Sequence, residues 1–413
     1  MSNRVVVISG NDPSRGRGGH SRYVRTLARA QLAAGYEPHI FCVSERSDLV
    51  KTDFGFIHRI ASPFRPFRHL MVIGHAIPLA AGVEKFLKQT AGPHLIHSFS
   101  VWSYVGAKVA RRLRLQGIDV VNVVTVFDLI LHEGRAKLRG VTREHGFVKW
   151  VTQFIELLWI RLFAINPEKS GFHQARRIFV NYDSVRRLLA STYNINGNVE
   201  KLPCASETAF LESHQINDVA GMNGGVPAGE GPLIVCVSRH CSRKGVDVLL
   251  QALALLRQQQ ISFRACLVGS GPLLSAHRRL LTKLNLEDCV VITGFVPDSF
   301  VYLEHSDIFV LPSLEEGSGS MSLLEALQAG TAVVASGVDG IPEDVTHEIN
   351  ALLVRPGDSH ELAAALRRLI CDEPLRKKLR QRARDLFEER FLPERMTSGL
   401  GRAYGELGFS CAR

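Results

Sequence analysis

The sequence predicts an α/β chain of two domains, each built on a parallel sheet, and three observations carry that prediction. A length of 413 residues exceeds what one hydrophobic core organises. Short apolar runs closed by Pro, Ser or Gly alternate with stretches of helical periodicity, the pattern of βαβ units. Residues 217–232, NDVAGMNGGVPAGEGP, hold five glycines and separate halves of opposite charge: residues 1–200 carry 28 Lys and Arg against 14 Asp and Glu, residues 201–413 carry 22 against 26. A flexible linker or loop is expected over 211–232, between domains of 1–210 and 233–390.

RVVVI at 4–8 is the first buried strand, and Ser9–Gly19 is a glycine-rich loop before a helix starting near His20. Tyr23, Leu27, Ala30 and Ala34 recur at helical spacing, Gly35 ends the helix, and HIFCVS is the second strand. The run Gly16 to Ser21 fails the dinucleotide fingerprint because Ser21 stands where its last glycine belongs, so a dehydrogenase is the weaker reading, although Glu45 lies near the place of a ribose-binding acid. Residues 64–88 set Arg65, Arg68, Lys85 and Lys88 around an apolar middle, as a surface helix pair or a membrane-resting segment would, with core packing an equal alternative. LIHSFSV and VVNVVTVFD read as strands, the latter leaving Thr125 and Asp128 as polar groups at its end, with His97 a further candidate. FVKWVTQFIELLWIRLFAI at 147–165 has an apolar face too wide for a free surface helix: it packs on the domain or docks on lipid through Trp150, Phe154 and Trp159.

In the second half LIVCVSRH is a strand, and Arg239 and Lys244 lie in the turn before the helix VDVLLQALALL. Two cations beside a helix N-terminus can hold a diphosphate. ACLVGSGP and VVITGFVP follow as strands with glycine turns. The stretch 305–343 is the most informative: Ile308–Leu311 and Ala332–Ala335 are buried strands flanking one helix, and before that helix runs Glu315-Glu316-Gly317-Ser318-Gly319-Ser320. Its glycines let backbone N–H groups approach phosphate or sugar oxygens. Ser322-Leu323-Leu324-Glu325 fits a capping box, which would give Glu325 a purely structural task.

The runs LPSLEEGSGSMSLLEALQAGTAVVAS, GSGP and SRHCSRKG resemble the retaining glycosyltransferases of family 4. The resemblance implies the GT-B fold, two Rossmann-like domains facing a central cleft, with the tail 391–413 returning to the first domain. It implies Arg239 and Lys244 on the leaving diphosphate of a nucleoside-diphosphate sugar, together with Gly18, Gly19, Gly319 and Ser320. Glu316, Gly317, Ser318 and Asp128 would meet the sugar, and Glu325, Gly269, Gly294, Phe295 and Val296 the nucleoside. In the family two glutamates are separated by seven residues, whereas eight separate Glu316 from Glu325 and nine separate Glu315 from it. Glu316 abuts the glycine turn and is the expected first glutamate, with the extra residue absorbed at Ser320 or Met321. Phe127 stands where the family has a histidine near the sugar. The implied reaction is transfer of a hexose-type sugar to a glycan, lipid-linked or small-molecule hydroxyl, with an epimerase or phosphorylase-like enzyme on the same fold as the alternative.

Composition narrows the partners. No apolar run approaches the roughly 20 residues of a membrane span, and MSNRVVVISG lacks the features of a signal peptide, so a cytoplasmic protein is expected. Eight scattered cysteines read as buried, reduced packing residues, and no cysteine or histidine spacing suggests a metal site, so no metal or other cofactor is expected. The basic first half calls for an anionic partner. Without an RNA-binding aromatic signature or a basic recognition helix, an anionic membrane surface at the inner face of the cytoplasmic membrane or a phosphate-bearing acceptor fits better than nucleic acid.

Overall fold

The computed structural model describes residues 4–16, 18–62, 72–90, 92–139, 147–206 and 225–409. Most of the expected linker 211–232 and the start of the basic segment 64–88 therefore lie outside the described residues. The chain divides into two compact units, Met1–Glu207 with Leu392–Arg413, and Thr208–Phe391.

In the first unit the elements run β1 (Arg4–Gly10), α1 (Gly19–Ala33), β2 (Glu37–Ser44), β3 (Asp48–Thr52), β4 (Gly55–Ala61), α2 (Val72–Lys88), β5 (His94–Phe99), α3 (Ser103–Arg114) and β6 (Val120–Val126). There follow α4 (Ile130–Arg139), α5 (Phe147–Trp159), a π turn (Ile160–Ala164), α6 (Ile165–His173), β7 (Arg177–Val180), α7 (Asp183–Tyr193) and β8 (Val199–Lys201). The eight strands form one sheet in the order β3-β4-β2-β1-β5-β6-β7-β8. Only the β3–β4 hairpin at its edge is antiparallel. The hairpin turns at Gly55, whose φ of +124° and whose approach to Pro38, 2.5 Å from a would-be Cβ to the carbonyl oxygen, exclude any side chain. Tyr23, Leu27 and Ala30 of α1 are buried against one sheet face, while α2 and α3 cover Val6, Ile8 and Phe41 on the other.

The second unit comprises β9 (Leu233–Val237), α8 (Val246–Gln258), β10 (Arg264–Val268), α9 (Leu274–Lys283), β11 (Val290–Gly294), α10 (Phe300–Glu304) and β12 (Ile308–Leu311). It continues with α11 (Met321–Ala329), β13 (Ala332–Ser336), α12 (Ile341–Asp344), β14 (Leu352–Val354), α13 (Ser359–Cys371) and α14 (Glu373–Arg390). Its six strands are all parallel, in the order β11-β10-β9-β12-β13-β14. Strand order therefore reverses between β9 and β12, and such a switch point opens a crevice beyond the carboxyl ends of the two strands.

The chain then returns as α15 (Pro393–Gly405), whose Met396, Leu400, Ala403 and Tyr404 are buried in the first unit's core beside Leu27. Tyr404 joins a fully buried network there: Gln31 Nε2 donates to its hydroxyl at 2.8 Å, and His97 Nδ1 lies 2.5 Å from it. The other His97 nitrogen is 2.7 Å from Thr125 Oγ1, so both ring nitrogens are engaged and His97 serves the core rather than a ligand. The seven described cysteines are all unpaired. Cys42, Cys236 and Cys266 are buried as expected, whereas Cys371 is exposed at the end of α13, a correction to the reading of all eight as packing residues.

Candidate functional site

The loop after β9 lies directly on the loop after β10. His240 N–H donates to Ser270 O at 3.1 Å, and Leu273 N–H donates to His240 O at 2.9 Å. Glycine makes this possible: a Cβ on Gly269, at φ +137°, would stand 2.0 Å from Ser238 O, and one on Gly271 would stand 2.4 Å from His240 O. Gly269 N–H reaches on to Gly294 O at 2.9 Å, so the glycines expected at the nucleoside are one connected edge. Beside them Phe295 is exposed and Val296 is buried.

A 3₁₀ turn at Ser242–Lys244 then carries the chain towards the end of β12. Arg243 O accepts from Leu314 N–H at 2.8 Å and Glu315 N–H at 3.1 Å. At the next residue the bonding changes side: Glu316 and Gly317 N–H both donate to Asp339 Oδ2, at 2.6 and 2.8 Å. Glu316 is thereby turned inward and is 8% exposed. Both of its carboxylate oxygens lie 2.6 Å from Lys244 Nζ, and one also accepts from Ser313 Oγ. Lys244 and Glu316 thus come together at the switch point, one from each of its two strands.

Arg239, on the same loop as Lys244, is exposed, and its side chain makes no hydrogen bond or ion pair to any described residue. Gly317 N–H, expected to face a ligand, is occupied by Asp339. The N–H groups of Ser318, Gly319 and Ser320 bond to no described residue. The N-cap of α11 is Ser320, so Ser322 and Glu325 are already inside the helix and the capping-box reading does not hold. Glu325 sits in the second turn, fully buried.

Sequence reasoning missed Asp339. Its signal is the Asp339-Gly340 pair in the turn between the strand Ala332–Ser336 and the helix Ile341–Asp344, with Asp339 at φ +50°, a conformation aspartate tolerates better than most residues.

Gly18, Gly19 and Asp128 belong to the other unit. Gly18 is open, with nothing within 4 Å of a would-be Cβ. Its loop is clamped from below: Arg25 donates to Pro13 O at 2.7 Å and Gly16 O at 3.1 Å, and Arg59 donates to Asp12 Oδ2 at 2.8 Å. Burial alone would raise the Asp12 carboxyl, but hydrogen bonds from Ser14 and Arg59 outweigh it and hold it below the usual aspartate value. Asp128 accepts from its neighbour's Leu129 N–H at 2.8 Å and lies 2.9 Å from His132 Nδ1. The start of α4 is held by Glu168, which accepts from Ile130 N–H and, at 2.6 Å, from Tyr193 O–H. Burial pushes Glu168 up to about 8. Phe127 stacks on Phe99 and meets Tyr23 and His20 edge-on.

The family profile described as Glycosyl transferases group 1 matches residues 231–372, and that described as Glycosyltransferase Family 4 matches residues 17–210. The amylovoran biosynthesis glycosyltransferase AmsK of Erwinia amylovora is 38% identical over 143 residues, 33% of this chain and 35% of that protein. Such alignments span about a third to a half of the curated relatives' length. Among solved structures, sucrose-phosphate synthase from Thermosynechococcus elongatus superposes with a TM-score of 0.75 at 23% identity, covering 98% of this chain and 99% of that one. Anabaena Alr3699/HepE in complex with UDP-glucose gives 0.65 at 17% identity, covering 98% and 99%. With one profile on each unit and these neighbours along nearly its whole length, the chain belongs to the group 1, family 4 glycosyltransferases and has their GT-B fold of two Rossmann-like domains.

Proposed function

We propose that this protein is a retaining glycosyltransferase of polysaccharide or glycolipid biosynthesis, moving a hexose-type sugar from a nucleoside-diphosphate donor to a hydroxyl of a glycan, lipid-linked or small-molecule acceptor. The observation that carries the reading is the cation and carboxylate, Lys244 and Glu316, joined at the switch point of the second sheet. Glycosyl transfer breaks the bond between the anomeric carbon and the diphosphate, so stabilising the departing charge lowers the barrier. Lys244, Arg239 and the N–H groups of Ser318 to Ser320 supply that stabilisation, and we assign no metal to the role. Glu316 holds sugar hydroxyls and Glu325 the ribose. The acceptor oxygen attacks on the face the diphosphate leaves, its proton passing to the departing group, and configuration is kept.

The net +14 of residues 1–200 supports an acceptor met at an anionic membrane surface, on its cytoplasmic side. Thermal unfolding in the presence of UDP-, GDP- and ADP-sugars tests the donor class, because a tight ligand of the folded state raises the melting temperature by mass action. NMR of a donor-only incubation then separates transfer from isomerisation: an epimer formed without acceptor would replace the transferase reading by the epimerase one.

A further inference from the structure

Six large apolar side chains within fourteen consecutive positions of the first unit stand in solvent: Trp150, Phe154, Ile155, Leu158, Leu162 and Phe163, each between 42% and 61% exposed. Four of them, 150, 154, 158 and 162, recur every four residues and so line one stripe of α5 and its π turn. The opposite side is the packed one. Ile160 and Ala164 are buried, and Gly134 of α4 lets Ile160 and Leu157 come within 2.9 and 3.2 Å of where its Cβ would be.

A π turn takes in roughly one residue more than an α turn. It therefore slows the rotation of the chain between Ile160 and Ala164 and keeps Phe163 beside Ile155 on the stripe, where a continuous α-helix would carry it round towards the packed side. Glu156 is held off the stripe by Lys137 of α4, 3.4 Å away. Arg161 on the turn and Arg135 on α4 are exposed. Lys137 is paired with both Glu133 and Glu156, so the basic charge beside the stripe is that of the two arginines, and exposed Trp, Phe and Leu beside Arg are the composition of a helix that lies in a bilayer interface. A protein partner fits less well. One helical ridge roughly 20 Å long is narrow for the roughly 800 Å² per partner that a stable protein interface buries.

We propose that α5 and its π turn lie flat in the interface of an anionic bilayer, with Trp150, Phe154, Leu158 and Leu162 entering the boundary between headgroups and acyl chains. This names the surface for the membrane association proposed above. The test measures lipid binding alone, with no donor or acceptor, so its failure would leave the transferase reading standing.

The full-length protein is floated with vesicles of phosphatidylglycerol and phosphatidylcholine in equal parts, and with pure phosphatidylcholine. Flotation is expected with the anionic vesicles and is expected to weaken as salt rises. The triple variant Phe154→Ser, Leu158→Ser, Leu162→Ser should lose at least tenfold in partitioning, with a melting temperature no lower than wild type. Should that variant fail to fold, quenching of wild-type tryptophan fluorescence by brominated lipid, reduced in Trp150→Phe, reads the same insertion. No flotation of the wild type even at low salt, or a folded triple variant that floats as the wild type does, overturns the proposal. So does light scattering that shows the wild type as a dimer and the triple variant as a monomer, which would make the ridge a contact between copies of the chain.

Discussion

Lys244 Nζ stands 2.6 Å from both carboxylate oxygens of Glu316, so the cation proposed for the diphosphate and the anion proposed for the sugar hold each other. Both side chains are largely withdrawn from water, 13% and 4% exposed, and a buried charge that loses its partner is costly. Lys244→Met and Glu316→Gln should each destabilise the second unit, by about 3 kcal/mol at the upper end. The double variant should lose clearly less than the sum, because it leaves no charge stranded. Urea unfolding of the four proteins measures this, and simple additivity would mean the pair is not coupled.

The inward turn of Glu316 separates it from Glu315. Glu316→Gln should depress kcat by at least tenfold and Glu315→Gln by much less, while Glu325→Ala should mainly weaken nucleotide binding. Steady-state kinetics with varied donor decide. A silent Glu316→Gln beside a damaging Glu315→Gln would move the site by one residue.

Asp339 latches the loop through two N–H groups, and hydrogen bonds to a charged acceptor are worth roughly 1.5–3 kcal/mol each. Asp339→Ala should therefore lower kcat more than Asp339→Asn, which keeps one oxygen in place. Asp339→Gly relaxes the backbone at φ +50° yet removes the latch, so it should melt near the wild-type temperature while turning over slowly. Equal turnover in all three variants would show that the loop holds its shape without the carboxylate.

Arg239→Ala and Lys244→Ala should raise the donor dissociation constant, each losing a charged contact of roughly 1.5–3 kcal/mol. Activity should persist in excess EDTA. Loss on chelation, restored by magnesium or manganese, would return a metal to the diphosphate.

The stability that two buried histidines confer should fall on acidification. Burial holds His97 down to about 3, and burial, then His277 and Arg278, hold His240 down to about 4, against an ordinary 6.5. Below 6.5 the unfolded chain binds protons that the folded one refuses, so the stability these residues confer is complete above 6.5 and lost as pH falls towards 4. Each unit of depression corresponds to about 1.4 kcal/mol. Glu168, pushed up to about 8, works the opposite way, because acid relieves its buried carboxylate. In Glu168→Gln, which removes that contribution, denaturant midpoints should decline between pH 7.5 and 4.5, and a flat profile there would contradict the buried neutral state of both rings.

Local pattern was enough to read the βαβ units, the loop of Glu316 and the turn of Lys244, because buried parallel strands and glycine turns leave short, self-contained signals. The β3–β4 hairpin was not legible: Asp48–Thr52 is a largely exposed edge strand without the apolar run that marks its neighbours. The clamp of Arg59 on Asp12 depends on that hairpin and was invisible with it. Ser322 to Glu325 matched a capping pattern in the wrong register, since Gly317 at φ +82° and the extended Ser320 fix where α11 begins. Asp339 reaches Glu316 from 23 residues away, and no periodicity encodes that.

The packing of α15 into the first unit has a consequence for how the chain is made. Residues 208–391 form an uninterrupted stretch with its own core, complete as soon as Phe391 leaves the ribosome. Residues 1–207, synthesised earlier, still lack Met396, Leu400, Ala403 and Tyr404, and the His97 hydroxyl partner that comes with them. Of the two units the one translated earlier is thus the one finished later, and until α15 arrives its nascent core exposes apolar surface of the kind chaperones recognise.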